Sequence, residues 1–462
     1  MLNKLLFCIF LIVLGISLCC INTQAKKVVK FLGNQYCTID PEDREVSRNN
    51  PGTLFALNLA KNPIYKIEEI DKESARKNLD SNFSFGLFQN PNYIVDEGDR
   101  QFAKNNPDTN LAEEIAKKSS YKITEKDKEY FKNNPHVRLS LGLVANPGFV
   151  VSELDKYFAR NNPETDFAKV ITQRSQYKVD KDDKQILYRY PKSKFANGLV
   201  RNLYFRIDKE DKLFSRQNLN EIVTSILTQL STYQVEEEDK IIARNNVNSN
   251  FASGLSLNLG YSVERDDKVL VRKNLDSSFT FGLGLNKHYK VELEDKRVAR
   301  ENPDSKFAKA IGRNITYIPD NEDRDFVAKN PNTGLAKSLT QNVNYKIKDT
   351  DRIAVGKNLN AHVAQLAKSG SYKITSKDKK TARKNLNSDF SFSLTMNPVY
   401  RIEDKDKKIA RDNPHTRFAE GLIQNPNYSL ELEDKKVARK NPASSFAYGL
   451  SLKLLQCGIQ SR

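Results

Sequence analysis

An all-α solenoid of about fifteen 28-residue helix-turn-helix repeats is the fold class this sequence predicts, and three observations predict it. An aspartate followed by a basic residue recurs from Asp43-Arg44, Asp71-Lys72 and Asp99-Arg100 to Asp434-Lys435, every 28 residues except for the 27 between Asp351 and Asp378. Other landmarks keep step with it. A ring stands six residues before (Tyr in twelve copies, Phe149 and Phe205 in two, Cys37 in the first), Asn stands seven after in every copy but the one with Tyr190, and Phe, Leu or Val stands twelve after. Finally, each copy carries the start and stop signals of two short helices. A unit this small packs only on its neighbours, so the array is one elongated body rather than several globular domains.

The elements follow in chain order. Residues 1–25 read as a secretory signal peptide, with Lys4 as the positive end, an apolar run from Leu5 to Cys20 and polar Asn22-Thr23-Gln24-Ala25 after it. The run is short for a membrane span. A leader or cap covers residues 26–36, the repeat array covers 37–456, and a tail covers 457–462. No other apolar run reaches membrane length, so no stable span is expected after cleavage, and a secreted or cell-surface location follows.

Within the unit around Asp295, Glu292 occupies the position before the first helix that Thr124, Ser152 and Thr375 hold elsewhere. With the aspartate three residues on, this is a capping box, and acidic residues there also suit the positive end of the helix dipole. Val291 and Val298-Ala299 share one helical face. The helix is expected to stop at Asn302-Pro303, with Asn adopting the left-handed conformation common just past a helix. Ser or Thr then caps the second helix in twelve of fifteen copies, Thr53, Ser81, Thr109, Ser305 and Ser444 among them. Phe307-Ala308 and Ile311 follow on one face. Helices of roughly ten and eight residues are marginal alone in water. Stacking must bury their apolar faces, so Phe167, Phe251, Phe279, Phe307 and Phe418 form the predicted repeat core. A leucine-rich-repeat-like α/β solenoid shares the period, but its Leu-x-Leu strand core is missing.

Two cysteines remain after the signal, Cys37 in the first unit and Cys457 in the last. In an open array, with neighbouring helices about 8–10 Å apart, they stand far beyond the ~7 Å reach of a disulfide. The expectation is a fold without a disulfide staple, both thiols being buried residues of the end units. An intermolecular bridge is the alternative.

The chemistry is sparse. His136, His288, His362 and His415 are scattered, and no glycine-rich phosphate loop, Cys-x-x-Cys pair or Gly-x-Ser-x-Gly elbow is present. No cofactor, metal site or catalytic constellation is implied, and the chain reads as a non-enzyme. The aspartates do not form a calcium loop, which packs several oxygen donors into a dozen residues; one aspartate per helix with a cation beside it reads as capping and pairing with a neighbouring unit's Arg. Four Asn-Pro-x-Tyr strings, beginning at Asn62, Asn90, Asn397 and Asn425, read as closing turns of the unit.

Charge is the one surface feature above background. Net charge is +17. The residue after each aspartate is always Lys or Arg, and a second basic residue recurs four positions on in twelve units, on the same helix face. Lys128, Lys156, Arg160, Lys240, Arg244, Lys268, Arg272, Lys296 and Arg300 would line up as a basic stripe suited to an anionic polymer such as nucleic acid, a glycosaminoglycan or a bacterial surface polymer. Against this, landmark positions are uniform while others vary freely: the site after the Phe-Ala pair runs Leu57, Phe85, Glu113, Leu141, Lys169, Asn197. Variation on a fixed frame is how solenoids tailor a surface for proteins. The expected function is an exported scaffold that binds another protein. Polymer binding and a structural surface or matrix role are the alternatives.

Overall fold

The computed structural model describes residues 36–460. The signal segment and nearly all of the 26–36 leader lie outside them. Among the described residues there are thirty helices and no strand, two helices in each of fifteen units. The leucine-rich alternative is therefore set aside. Units are numbered 1 to 15 by their aspartates, from Asp43 to Asp434. No described helix is long and apolar enough to cross a membrane.

Unit 10 shows how the sequence makes the fold. Its first helix, Leu293–Glu301, begins at Glu292, whose backbone N–H donates to Asp295 Oδ2 at 2.8 Å. Where the cap is Ser or Thr the exchange is reciprocal: Ser152 Oγ accepts from the Asp155 N–H while Asp155 accepts from the Ser152 N–H. The stop signal works differently from expectation. Asn302 is not left-handed; its φ is −128° and its side-chain amide donates to the Val298 carbonyl at 3.1 Å. Its backbone N–H reaches the same carbonyl at 3.0 Å, so the recurrent Asn closes the helix end with two donors on one acceptor. Ser305 Oγ then caps the second helix, Lys306–Ile311, by accepting from the Ala308 N–H.

Two backbone devices join successive units. In ten of the fifteen units the N–H of the landmark residue reaches the unit before it, as in Phe307 to the Leu275 carbonyl (2.9 Å) and Phe83 to Pro51 (2.8 Å). That explains why Pro serves as well as Leu there, since only its carbonyl is used. At the unit's end Asn90, Asn146, Asn258 and Asn425 each send the side-chain amide to carbonyls 28 and 30 residues earlier. The Asn-Pro-x-Tyr strings at Asn90, Asn397 and Asn425 are these turns; at Asn62, in the first unit, the buried amide nitrogen has no such partner. Tyr65, Tyr93, Tyr400 and Tyr428 are buried. The predicted core residues Phe167, Phe251, Phe279, Phe307 and Phe418 are all fully buried.

Curvature comes from unequal spacing in the two helix layers. Second helices touch through their backbones. A Cβ added at Gly142 would meet Ala116 Cβ at 2.8 Å and Glu113 Cα at 2.9 Å, and at Gly421 it would meet the Phe392 carbonyl oxygen at 2.6 Å. First helices are instead bridged by Lys and Arg side chains, as Arg272 bridges to Glu292 and Asp295. The closely spaced layer lies on the shorter circumference, so the second helices form the inner wall and the first helices the outer one.

The bend closes the array into a ring. Lys435 Nζ of unit 15 reaches Asp40 Oδ2 of unit 1 at 2.8 Å, and Arg439 Nε reaches Asp43 Oδ1 at 2.6 Å. These repeat, across the chain ends, the pairings of Lys407 with Glu431 and Arg411 with Asp434 between units 14 and 15. Asn58 also donates to Ser451 Oγ at 3.1 Å. The expectation for the cysteines is overturned with it: Cys37 and Cys457 have Cα atoms 6.0 Å apart and form a disulfide. The open array assumed for them was the error. Residues 457–460, read as tail, continue the last helix, Ser445–Gln460.

Unit 12 is the irregular one. The residue missing between Asp351 and Asp378 falls in its second segment, His362–Lys368, which winds as a 3₁₀-helix. A 3₁₀-helix rises about 2.0 Å per residue against about 1.5 Å in an α-helix, so the seven residues between the Ala361 cap and Ser369 span the distance that eight cover between Ser305 and Asn314.

Candidate functional site

The aspartate ladder is structural. Asp295 is fully buried and accepts the Tyr289 hydroxyl at 2.9 Å, the Glu292 N–H, and Arg272 Nε of the preceding unit at 2.7 Å. The same set recurs around Asp71, Asp99, Asp183, Asp239, Asp267, Asp323, Asp406 and Asp434. Burial and the adjacent carboxylate push the Tyr289 hydroxyl far above its usual pKa. Hydrogen bonds from Lys268 and Arg272 hold Glu292 below the usual carboxylate range, and Lys379 and Arg383 hold Glu403 at about 2.

The predicted basic stripe lies in these seams. Lys156 and Arg160 pair with Asp180, Lys240 and Arg244 with Glu264, Lys268 and Arg272 with Glu292, and Lys296 with Asp320. Arg300 pairs with Asp323, and Lys128 with Glu125 of its own helix. Many of these lysines also lie over the next unit's ring, as Lys296 does at 5.0 Å from the Tyr317 centroid. The structure brings the stripe residues into line and gives each an acidic partner. Sequence reasoning did not connect them with the acidic caps 20 and 24 residues downstream, although that spacing was visible.

Three seams lack the bridging cation: Tyr188 of unit 6 donates its hydroxyl to Asp211 in its place, Ala328 of unit 11 leaves Asp351 with Tyr345 and the Lys348 N–H, and the seam after unit 12 is the emptiest. Gly356 of unit 12 stands where the bridging Arg should be, and Thr375 of unit 13 where an acidic cap often stands. The buried Tyr372 hydroxyl is left without a hydrogen-bond partner. Burial and the nearby Asp378 push it up to about 12. A cavity of about 400 Å³ lined by Gly356, Asp378 and Arg352 marks the missing side chain.

The inner wall is a variable, concave surface. On each second helix, the residues one before, two after and six after the landmark Phe share the face turned away from the outer layer, as Lys306, Lys309 and Arg313 do in unit 10, all three exposed. The middle position reads Leu57, Phe85, Glu113, Leu141, Lys169, Asn197 in units 1–6 and includes Phe281, Phe392 and Tyr448 further on. Fifteen inner helices at about 9 Å spacing place the helix axes ~21 Å from the centre. Allowing ~5 Å for the helix radius, the opening is about 30 Å wide.

Among the described residues no group of three or more His, Cys, Asp or Glu side chains is placed to hold a metal ion. No family model, no curated protein and no solved structure matches the chain.

Proposed function

We propose that this chain is an exported, non-enzymatic ring scaffold that binds another protein along its inner wall. The observation that carries the reading is the concavity of the wall together with its side chains, which change from unit to unit and mix apolar and aromatic groups with charge. The first helices also vary and expose apolar residues such as Tyr157, Leu213, Ile241 and Leu293, but on the convex outer face. Phe85 is 39 % exposed, Leu54 48 % and Ile222 63 %. Apolar and aromatic side chains on a concave face are what protein interfaces bury at their centres. Export is supported by the sequence of residues 1–25 and by the Cys37–Cys457 disulfide, a bond favoured in oxidising compartments. The polymer alternative draws less support, because the cations of the predicted stripe are paired within the ring.

The test is capture of partners on the immobilised mature protein at moderate salt. A defined protein should be retained by the wild type, lost on the Phe85→Ala/Phe281→Ala/Tyr448→Ala variant, and kept by Leu293→Ala, whose side chain is 80 % exposed on a first helix. Retention of nucleic acid or polysaccharide alone, or of a protein insensitive to the wall substitutions, would contradict the reading.

A further inference from the structure

The charge on the inner wall is segregated. Elsewhere on the wall most cations have acidic neighbours: Lys117 pairs with Glu113 and Glu114, Arg138 with Glu113, Lys194 with Asp166, and Arg417 with Asp389. Units 10 to 12 differ. Lys306, Lys309, Arg313, Lys337 and Lys368 share three adjacent units, and no wall position there is acidic. None of the five side chains makes an ion pair among the described residues, and four of them are exposed. Gly334 contributes to this arrangement: a Cβ there would overlap the stem of Lys309, reaching its Cγ at 2.8 Å. Glycine thus lets the Lys309 stem lie against the start of the second helix of unit 11.

The three units before this arc carry no charge on the wall. Their variable positions are Ile222, Ser225 and Gln229, then Asn250, Ser253 and Leu257, then Ser278, Phe281 and Leu285. An apolar and neutral arc therefore runs directly into one whose charged wall side chains are all cationic; the nearest carboxylates, Asp276 and Asp304, lie at the helix starts and accept from the Lys306 and Gly334 N–H groups. Like charges facing a concave low-dielectric wall reinforce one another's field and select an anionic partner.

We infer that units 7 to 12 form a bipartite groove for an acidic polypeptide segment, its carboxylates over units 10–12 and its apolar side chains over units 7–9. This rests on the proposed protein-binding role of the wall and names the chemistry of the partner. A nucleic acid or polysaccharide fits less well, because the cations occupy three units of fifteen and a polyanion passing round the wall would meet Glu113, Asp166, Asp389 and Glu420. A second copy of this chain is disfavoured by its net charge of +17. Three units at about 9 Å each match about eight residues of extended chain at ~3.3 Å per residue, so each half of the segment needs about eight residues.

The probe is a fluorescent 16-residue peptide with glutamates in one half and alternating leucine and serine in the other, titrated into the full-length mature ring. Lys309→Glu/Lys337→Glu should weaken binding about tenfold at low salt, as two lost and reversed surface pairings imply. Added salt should weaken wild-type binding as well. Phe281→Ala/Leu285→Ala should weaken it without changing the salt dependence. Lys408→Glu, exposed on a first helix, should leave it unchanged. No binding of the peptide, or binding indifferent to the Lys309/Lys337 variant, overturns the groove. So does tighter binding of heparin or a DNA duplex with the same dependence on those lysines, which would make the arc a polyanion site. If the peptide fails while partner capture still depends on Phe85 and Tyr448, the groove falls and the protein-binding wall stands.

Discussion

The same substitution, glycine to alanine, should change stability in opposite directions at two places in this ring. Gly254 lies in the second helix of unit 8, Asn250–Leu257, against unit 7. A Cβ there would sit 2.8 Å from the Ser225 carbonyl carbon and closer still to its oxygen and to Thr228 Oγ1. Backbone atoms cannot rotate aside, so the two inner helices must separate. Overpacking of this kind costs about 1–3 kcal/mol, and a backbone obstacle belongs at the upper end. Alanine returns up to ~1 kcal/mol through its helix propensity, leaving a net loss of about 2 kcal/mol. The closed ring sharpens the effect, because the displacement cannot be released at a free end. Gly356, in the first helix of unit 12, Asp349–Lys357, has nothing within 4 Å of the added Cβ. Alanine there should stabilise by about 0.5–1 kcal/mol. The assay is hydrogen exchange on each variant, read unit by unit because an array need not unfold in one step. Loss of protection around units 7 and 8 for Gly254→Ala, with a gain around units 12 and 13 for Gly356→Ala, is the expected pair. Equal signs in the two variants would refute the assignment of close packing to the inner layer.

Other outcomes follow from the same contacts. Gly356→Arg restores the bridging side chain to Asp378 and should stabilise units 12 and 13 beyond the alanine variant; no additional gain would show that the seam is closed by other means. Phe279, fully buried beside the Tyr261 ring, should cost about 3–5 kcal/mol on truncation to Ala, with exchange protection falling around residues 251–310 and unchanged on the far side of the ring. Lys453 is buried with its pKa lowered by desolvation to about 7. The unfolded chain therefore binds the extra proton between about pH 7 and its ordinary value of 10.5, so the last helix should grow more stable as pH rises through that window. Lys453→Asn, which installs the side chain used at Asn425, should flatten the dependence; an unchanged slope would assign it to other groups.

The unit was legible because its signals are local. Helix starts, the aspartate's capping role and its arginine partner, and the buried Phe face all follow from residues within one period. The Asn after the first helix was read as a left-handed residue, whereas it stays at negative φ and closes the helix with both its backbone N–H and its side-chain amide, a distinction that depends on three-dimensional geometry. Closure was the larger miss. It depends on a bend of about 24° per unit, a fifteenth of a circle, and that bend is set by how closely backbones approach at positions such as Gly142 and Gly421. Yet a clue stood at the ends. Asp40 and Asp43 keep acceptors for a unit that does not precede them, Lys435 and Arg439 keep donors for one that does not follow, and each end holds a cysteine. The inner wall was legible only as variability, since which face turns inward depends on the curvature.

Small-angle scattering from the mature protein tests the ring most directly. With inner helix axes ~21 Å from the centre, an outer helix layer ~10 Å further out and ~5 Å of helix radius, the largest dimension should be about 70 Å, with the distance distribution of a hollow ring. An open array of the same fifteen units would reach about 140 Å, and a maximum near that length would contradict closure.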